Sequence, residues 1–312
     1  MIKFLKKYFF ILGIILFLII LSRINIGKLF QNIEKINPLY LILAFLTTIP
    51  MIFSKALCWN YIKRQQGIKY GLKDSLLMYY SCIYLGFITP GKLGELAKAV
   101  YLKKDGHPLG GSLVSVVLDR VSDIVFLLAF VFVGSLFYLS MFQKQVLILI
   151  SGLIISVILL LVFIKTGLVK WALIKAFNVF IPEKYKKSWQ INSQDFINSL
   201  KIYKLKHYSI IFAITTFSWL FYYLQMGLLA HGLGIKIPFV YLAVSVTAAG
   251  LITLIPISLF GIGTRDATLI LLFSPFLIPK EQIIVFSALI LFLTAAVSLM
   301  GLICWLIKPI KI

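Results

Sequence analysis

The chain has 312 residues, of which 61% are hydrophobic and only 13% charged, and its formal net charge is +21 at pH 7. A soluble domain is about half apolar and about a quarter charged, so this composition excludes an ordinary soluble protein. No compact basic domain could grip a nucleic acid duplex, and we therefore interpret the positive charge as membrane topology and attraction to anionic inner-leaflet lipids. The sequence predicts an all-α polytopic membrane protein, organised as one integral membrane domain over residues 1–312.

The N-terminal segment resembles a signal peptide, because Lys3, Lys6 and Lys7 precede an apolar stretch from Tyr8 to Leu21. No small-residue cleavage site follows, so we interpret it as an uncleaved first span. In chain order, full-length spans are predicted at about 4–22, 38–62, 112–140, 146–164, 209–231 and 283–307.

Two further apolar regions, at about 74–104 and 238–275, are interrupted by a proline and then by glycines. The interrupting residues are Pro90, Gly91 and Gly94 in the first region and Pro256, Gly261 and Gly263 in the second. The arms on either side have about 16 and about 11 residues, which reach ~24 and ~16 Å at ~1.5 Å per residue, short of a ~30 Å bilayer core. Each region is therefore predicted to enter the membrane as a broken-helix hairpin and to return to the side it came from.

The distribution of basic residues supports this topology. With both hairpins re-entrant and the N-terminus cytoplasmic, 20 of the 31 Lys and Arg residues fall in cytoplasmic loops and 6 fall outside. If the first hairpin crossed the membrane once, the lysine-rich loop 165–208 would lie outside, against the positive-inside rule. We expect about six full spans plus two hairpins in the cell membrane, with both termini cytoplasmic. Loop 165–208 is either a helix lying on the inner leaflet or a solvated connector.

The two halves of the predicted topology contain the same parts in opposite orientation. In each half a span is followed by a hairpin and then by a further span, and the second hairpin enters from the opposite face. Inverted repeats with paired broken helices are typical of transporters that bind their substrate near the middle of the membrane.

Nine charged residues fall at membrane depth in this topology. Exposure of each to lipid would cost ~2.5–3.5 kcal/mol, so they must face each other, water or a polar ligand. Lys55 could instead extend towards the inner surface, since it lies near the end of its span. The nine residues are Lys55, Lys92, Glu95, Lys98, Asp119, Arg120, Asp123, Arg265 and Asp266.

The motif PGKLGE at 90–95 predicts an anion site. A half-helix starting near Leu93 would point its positive end at the middle of the membrane, beside Lys92 and Lys98, and could hold a phosphate. Alternatively, Glu95 neutralises the helix end itself and the motif is a structural cap.

Two later motifs supply the other charges. In LDRVSD, Asp119 and Asp123 share a helix face and Arg120 is within pairing distance of Asp123, so the cluster could hold the hairpin tip, relay a proton or bind an amine. The alternative is a buried structural ion pair.

In GIGTRD, Thr264 is predicted to cap the following helix, and Arg265, next to Asp266, could bind a phosphate with two hydrogen bonds. The alternative is an arginine–carboxylate pair that locks the two hairpins together.

No catalytic residue, metal site or cofactor is predicted. Cys58, Cys82 and Cys304 lie in apolar runs without a partner motif, and we interpret them as core residues. The three histidines are scattered, and no nucleotide-binding loop is present, so transport driven by ATP is not expected.

The motifs P-G-K-L-G-E followed by Lys98, D-R-x-x-D and I-P-…-G-I-G-T-R-D together resemble the lysylphosphatidylglycerol synthase transmembrane region. This flippase-like family includes the N-terminal membrane domain of the multiple peptide resistance factor and stand-alone proteins described as AglD-like. The resemblance covers most of the chain and implies movement of a lipid across the bilayer, commonly one with a modified head group. No soluble aminoacyltransferase domain follows Lys311 in this sequence, so synthesis of a lysyl lipid is not expected.

The leading hypothesis is therefore a lipid flippase whose two hairpin tips meet and form a polar cleft. Lys92, Lys98 and Arg265 would attract the head-group phosphate, and the acidic residues would balance them or bind a cationic moiety. The partner would be a membrane phospholipid or a polyprenyl-phosphate-linked lipid. The alternatives are a membrane polyprenyl-phosphate glycosyltransferase, which needs acidic residues at a membrane face, and an ion-coupled small-solute transporter.

Overall fold

The computed structural model describes residues 27, 31, 32, 34, 36–137, 193–254, 258 and 260–308, and within these ranges the regular structure is helical, with no strand. The predicted all-α class is therefore confirmed. In chain order the elements are α1 (Pro38–Leu46), α2 (Thr48–Gln65), α3 (Leu72–Phe87), a 3-10 segment (Pro90–Leu96), α4 (Ala97–Lys104), α5 (Leu109–Phe137), α6 (Ser193–Lys201), α7 (Leu205–Gly232), α8 (Phe239–Leu254), α9 (Thr264–Phe273), a 3-10 turn (Ser274–Phe276) and α10 (Lys280–Ile307).

Three helical segments of the described chain are long and apolar enough to cross a membrane. They are α1 with α2 (Pro38–Gln65), α7 and α10, each of 28 residues, with mean hydropathies of 1.9, 1.3 and 2.7. A helix of this length extends ~40 Å, more than the ~30 Å hydrocarbon core. The predicted spans 38–62, 209–231 and 283–307 coincide with these three segments.

The other predicted spans have different outcomes. The region 112–140 corresponds to α5, a continuous helix of 29 residues that carries the charged LDRVSD motif and is not one of the three apolar candidates. The predicted spans 4–22 and 146–164 lie outside the described residues, as does most of loop 165–208. The total of six spans and the inverted repeat therefore stay predictions.

The chain reverses direction between α3 and α4, so that the N-terminal end of α3 meets the C-terminal end of α4. The phenol of Tyr70 donates a hydrogen bond to the carboxylate of Asp105. Burial and the Asp105 carboxylate raise the pKa of Tyr70, so the phenol keeps the proton that it donates. At the turn between the two helices, a Cβ on Gly94 would lie 2.0 Å from the carbonyl oxygen of Leu85, and the Gly94 amide donates to Thr89 Oγ1 at 2.6 Å. The close approach of the two arms therefore requires glycine at position 94.

A second reversal joins α8 to α9. The hydroxyl of Tyr241, near the start of α8, donates to the carbonyl of Leu272, near the end of α9, at 2.6 Å. Gly261 and Gly263 adopt positive φ angles of 77° and 83° in the turn, a conformation that residues with a side chain rarely adopt. Pro256, the predicted start of this break, lies outside the described residues.

The two hairpins open towards opposite ends of α10. The first opens beside Lys308, just after the C-terminal end of α10: the Tyr101 hydroxyl donates to the Lys308 carbonyl at 2.6 Å, and Lys308 Nζ lies 2.9 Å from Asp74. The second opens where α9 connects to the N-terminal end of α10, and there Gln282 donates to the carbonyl of Leu233 after α7. The two mouths are therefore separated by the length of a 28-residue helix.

The turns of the two hairpins contact each other. The ring of Phe87, at the end of α3, stacks on the ring of Phe260 with centroids 4.3 Å apart and planes inclined by 23°. Lys92 and Phe260, one in each turn, both have positive φ angles, of 57° and 55°. The predicted half-helix near Leu93 starts later than expected: Pro90–Leu96 is 3-10 helix, and the α-helix begins at Ala97.

The largest apolar core of the described residues lies between α5, α7, α8, α9 and α10. Its fully buried members include Met226, Tyr241, Leu269, Phe273 and Phe286. A second apolar cluster lies between α2, α3 and α4 and contains Trp59, Met78, Cys82 and Leu102. A third lies between α2, α5 and α7 and contains Cys58. These clusters hold the two hairpins against the long helices and so fix the positions of their tips.

Candidate functional site

The structure brings together five of the predicted site residues, from the first hairpin and from α5. Arg120 is at the centre of this group: its Nη1 lies 2.8 Å from Glu95, and its Nη2 lies 3.0 Å from Asp119 and 3.2 Å from Asp123. One guanidinium therefore contacts three carboxylates. The predicted pairing of Arg120 with Asp123 is confirmed, and so is the common helix face of Asp119 and Asp123.

Lys98 joins the first hairpin to α5. Its Nζ lies 2.7 Å from Asp119 Oδ2 and 3.5 Å from Glu95 Oε2, and it sits 3.8 Å above the ring centre of Tyr79. Lys98 and Asp119 are both fully buried. The hydroxyl of Tyr79 also accepts a hydrogen bond from Arg120 at 3.0 Å. Tyr79 also contacts this group, and no sequence pattern indicated it, because it lies in an ordinary apolar run.

Lys55, on α2, completes the group from the other side. It pairs with Asp123, whose Oδ1 also accepts a hydrogen bond from Trp219 Nε1 of α7 at 2.9 Å. The expectation that Lys55 extends to the inner surface is wrong, because its amine pairs with the carboxylate of Asp123 inside the protein. The pairing joins residues 68 positions apart in the chain, so no local pattern could have indicated it.

Three acids and three bases thus form what we call the ion network, and their formal charges cancel. Only Arg120 has a substantially exposed side chain, at 31%, whereas the side chains of the other five are 10% exposed or less. Burying an unpaired charge is far more costly than burying a satisfied pair. An anion that entered the network would have to displace carboxylates from Arg120, Lys98 or Lys55. The members of the ion network are Lys55, Glu95, Lys98, Asp119, Arg120 and Asp123.

Arg265 and Asp266 form a separate buried group with a serine of α10. Arg265 donates from Nε to the hydroxyl of Ser287 at 2.7 Å and from Nη2 to the Ser287 carbonyl at 2.9 Å. The Ser287 hydroxyl donates to Asp266 Oδ1, and the Gly263 amide donates to Asp266 Oδ2 at 2.8 Å. Sequence analysis missed Ser287, since a single serine in an apolar helix carries no functional signal.

Two details of this group differ from the sequence-based expectations. The cap of α9 is made by the Asp266 carboxylate on the Gly263 amide, whereas the Thr264 hydroxyl is 2.7 Å from that of Ser258. Within the described parts of the chain, Arg265 has no salt bridge to a carboxylate of the first hairpin. The alternative of an arginine–carboxylate lock between the hairpins is therefore not what this structure contains.

Lys92 lies in the turn of the first hairpin and its side chain is exposed. Over the residues that the structure describes, neither Lys92 nor Arg265 has a carboxylate at salt-bridge distance, unlike the three bases of the ion network. Each of these two cations lies five positions after one of the stacked rings, Lys92 after Phe87 and Arg265 after Phe260. The two hairpins thus each carry one cation close to the point where they meet.

Comparisons with known proteins identify the family of this chain. A family model described as "Lysylphosphatidylglycerol synthase TM region" matches residues 7–301. The chain is 28% identical over 289 residues to the UPF0104 membrane protein MJ1595 of Methanocaldococcus jannaschii, which covers 87% of this chain and 85% of the relative. It is 24% identical over 212 residues to the UPF0104 membrane protein PH1989 of Pyrococcus horikoshii, which covers 64% of this chain and 63% of the relative.

Proposed function

Because the chain belongs to the family of the lysylphosphatidylglycerol synthase transmembrane region, and is embedded in a membrane, we propose that it moves a lipid with a phosphate-bearing head group across the bilayer. The observation that supports this most is the pair of hairpins that open to opposite ends of α10 and touch at their tips. Backbone breaks at membrane depth are tolerated where they are enclosed by protein or line a polar path. The hairpin turns are the natural place for such a path.

The cell membrane would hold the chain with the mouth of the first hairpin at the cytoplasm. Exposed basic residues favour this orientation, since cytoplasmic loops are enriched in lysine and arginine. Around the first mouth and the adjoining start of α7, seven basic residues are exposed: Arg64, Lys69, Lys73, Lys104, Lys201, Lys204 and Lys206. At the opposite end the exposed described lysines are Lys236 and Lys280. In this proposal the second hairpin opens at that end as the inverted counterpart of the first.

The phosphate would bind Lys92 and Arg265, because among the described residues neither has a carboxylate at salt-bridge distance, and Arg265 reaches Asp266 only through Ser287. An arginine can present two parallel N–H donors to a phosphate. We assign Lys98 to the ion network instead, since it is fully buried and paired with Asp119. Glu95 and Arg120 form the side of the network nearest the tip, where a head-group amine would find its acidic partner. The acyl chains would stay in lipid, which avoids most of the hydrophobic cost of crossing.

Lipid movement is tested in proteoliposomes that contain a fluorescent phospholipid, to which a membrane-impermeant quencher is added from outside, with no sugar donor present. With the protein, lipids from the inner leaflet should reach the outer leaflet and be quenched as well. In empty vesicles only the fluorescence of the outer leaflet should be lost. Sugar-donor turnover without lipid movement would contradict the proposal and favour the glycosyltransferase.

Substitution of the two tip cations tests the phosphate site. Lys92→Ala and Arg265→Lys should each slow movement about tenfold or more, because a hydrogen bond to a charged group contributes about 1.5–3 kcal/mol. Arg265→Lys keeps the buried charge, so the melting temperature should change little. Lys236→Ala, at an exposed lysine far from the tips, is the matched control. Equal rates for all three variants would show that the tip cations do not bind the transported lipid.

A further inference from the structure

We propose that Phe87 and Phe260 form a gate between the two hairpin tips, and that the size of this aromatic pair limits the head groups that can pass. The inference rests on the proposed function, since it names the residues that would select the transported lipid. Sequence analysis expected polar residues at the meeting point of the hairpins. The structure places there a stacked pair of rings with centroids 4.3 Å apart.

The backbone of the gate is held in an unfavourable conformation. Phe260 has a φ angle of 55°, and a bulky residue at positive φ is a genuine outlier. Residues in such conformations persist only where the surroundings hold them, and they cluster at clamps and switch regions. Phe260 is 40% exposed, and its ring stacks on that of Phe87. The stack therefore supports the strained turn, and loss of the stack would let the turn relax.

The position of the pair connects it to the tip cations. Phe87 and Phe260 each precede the cation of their own hairpin by five residues, so the contact lies between the two hairpin segments that carry Lys92 and Arg265. In the proposed path, a phosphate held by both cations passes the point where the two rings touch. A stacked aromatic pair shifts a two-state equilibrium by about two- to tenfold beyond the effect of buried area, which is weak enough for a bound lipid to overcome.

Reversible cross-linking tests whether the contact must open. The native cysteines Cys58, Cys82 and Cys304 are replaced by alanine, and Phe87→Cys and Phe260→Cys are introduced together. A short bifunctional thiosulfonate should link the pair in high yield, and the linked protein should stop moving lipid until a reductant restores it. The pair Phe87→Cys with Phe292→Cys is the control, because Phe292 lies on α10 and is 58% exposed. It should not link.

The outcomes of this experiment separate the two claims. The cysteine-free parent is measured first, and absence of lipid movement there would overturn the proposed function and the gate with it. Movement in the parent together with undiminished movement in the linked pair would overturn the gate alone. Failure of the pair to link would show that the tips do not meet as described.

Ring removal tests the selection of head groups. Two probes of one phospholipid are compared, one with the fluorophore on the head group and one with it on an acyl chain. Phe260→Ala should speed movement of the head-labelled probe about two- to tenfold relative to the acyl-labelled probe, since removal of the stack widens the passage. Phe292→Ala should leave the ratio unchanged. The same ratio in Phe260→Ala and Phe292→Ala would show that the two rings do not limit which head groups pass.

Discussion

The ion network shows how single residues determine whether charge can be kept inside this protein. Asp119 and Lys98 are both fully buried and lie 2.7 Å apart, and Arg120 adds a second cation to the same carboxylate oxygen. A buried pair is a weak source of stability relative to apolar residues, but breaking it leaves an uncompensated charge. The network therefore constrains which substitutions the tip of the first hairpin can accept.

Asp119→Asn should be strongly destabilising, by about 3–5 kcal/mol, because it leaves Lys98 and Arg120 without a shared partner. The double variant Lys98→Met with Asp119→Leu removes both charges of the fully buried pair and should be more stable than Asp119→Asn. Thermal unfolding in detergent measures both. A double variant that melts below the single variant would mean that the pair itself stabilises the fold.

Residue-scale sequence analysis found the charges but not their neutral partners. The four network residues in PGKLGE and LDRVSD, and Lys98 after the first motif, could be selected because charge at membrane depth must be satisfied. Ser287, Tyr79 and Trp219 could not, because they are ordinary residues of apolar helices and make their contacts over long sequence separations. The partner of Lys55 was missed for the same reason.

At the scale of elements, the close contact of the two arms of the first hairpin depends on glycine. A Cβ at Gly94 would lie 2.0 Å from the Leu85 carbonyl oxygen and 2.2 Å from its carbon, and backbone cannot move aside as a side chain can. Gly94→Ala should therefore cost at least the ~1–3 kcal/mol typical of overpacking.

Gly250→Ala is the matched control, because nothing lies within 4 Å of a Cβ there. In the helical context of α8 it should be neutral or stabilise by up to about 1 kcal/mol. Melting temperatures of the two variants measure the difference. Equal melting temperatures would contradict the packing of α3 against the 3-10 segment.

The breaks in the helices were predictable because each region combines a proline with two nearby glycines in the middle of an apolar run, a combination that disfavours a continuous helix. Their detailed form was not. The run with Gly91 and Gly94 became 3-10 helix up to Leu96, and the start of α9 is capped by Asp266 rather than Thr264. Both outcomes depend on contacts with other parts of the chain, which local propensity does not contain.

At the scale of the whole molecule, the central claim is that the two hairpins enter the membrane from opposite faces and meet inside it. The hydrogen bonds Tyr70–Asp105 and Tyr241–Leu272 close the two mouths at opposite ends of α10. Charge asymmetry in the sequence predicted this orientation, because lysine and arginine accumulate in cytoplasmic loops. No sequence pattern predicted the aromatic contact between the two tips.

The most direct test is the sidedness of single cysteines in the cysteine-free protein, labelled in sealed vesicles with a membrane-impermeant thiol reagent. Lys73→Cys and Lys104→Cys, on either arm of the first hairpin, should be labelled from the same, cytoplasmic side. Lys236→Cys and Leu277→Cys, on either side of the second hairpin, should both be labelled only from the opposite side. Labelling of Lys73→Cys and Lys104→Cys from different sides would contradict the account.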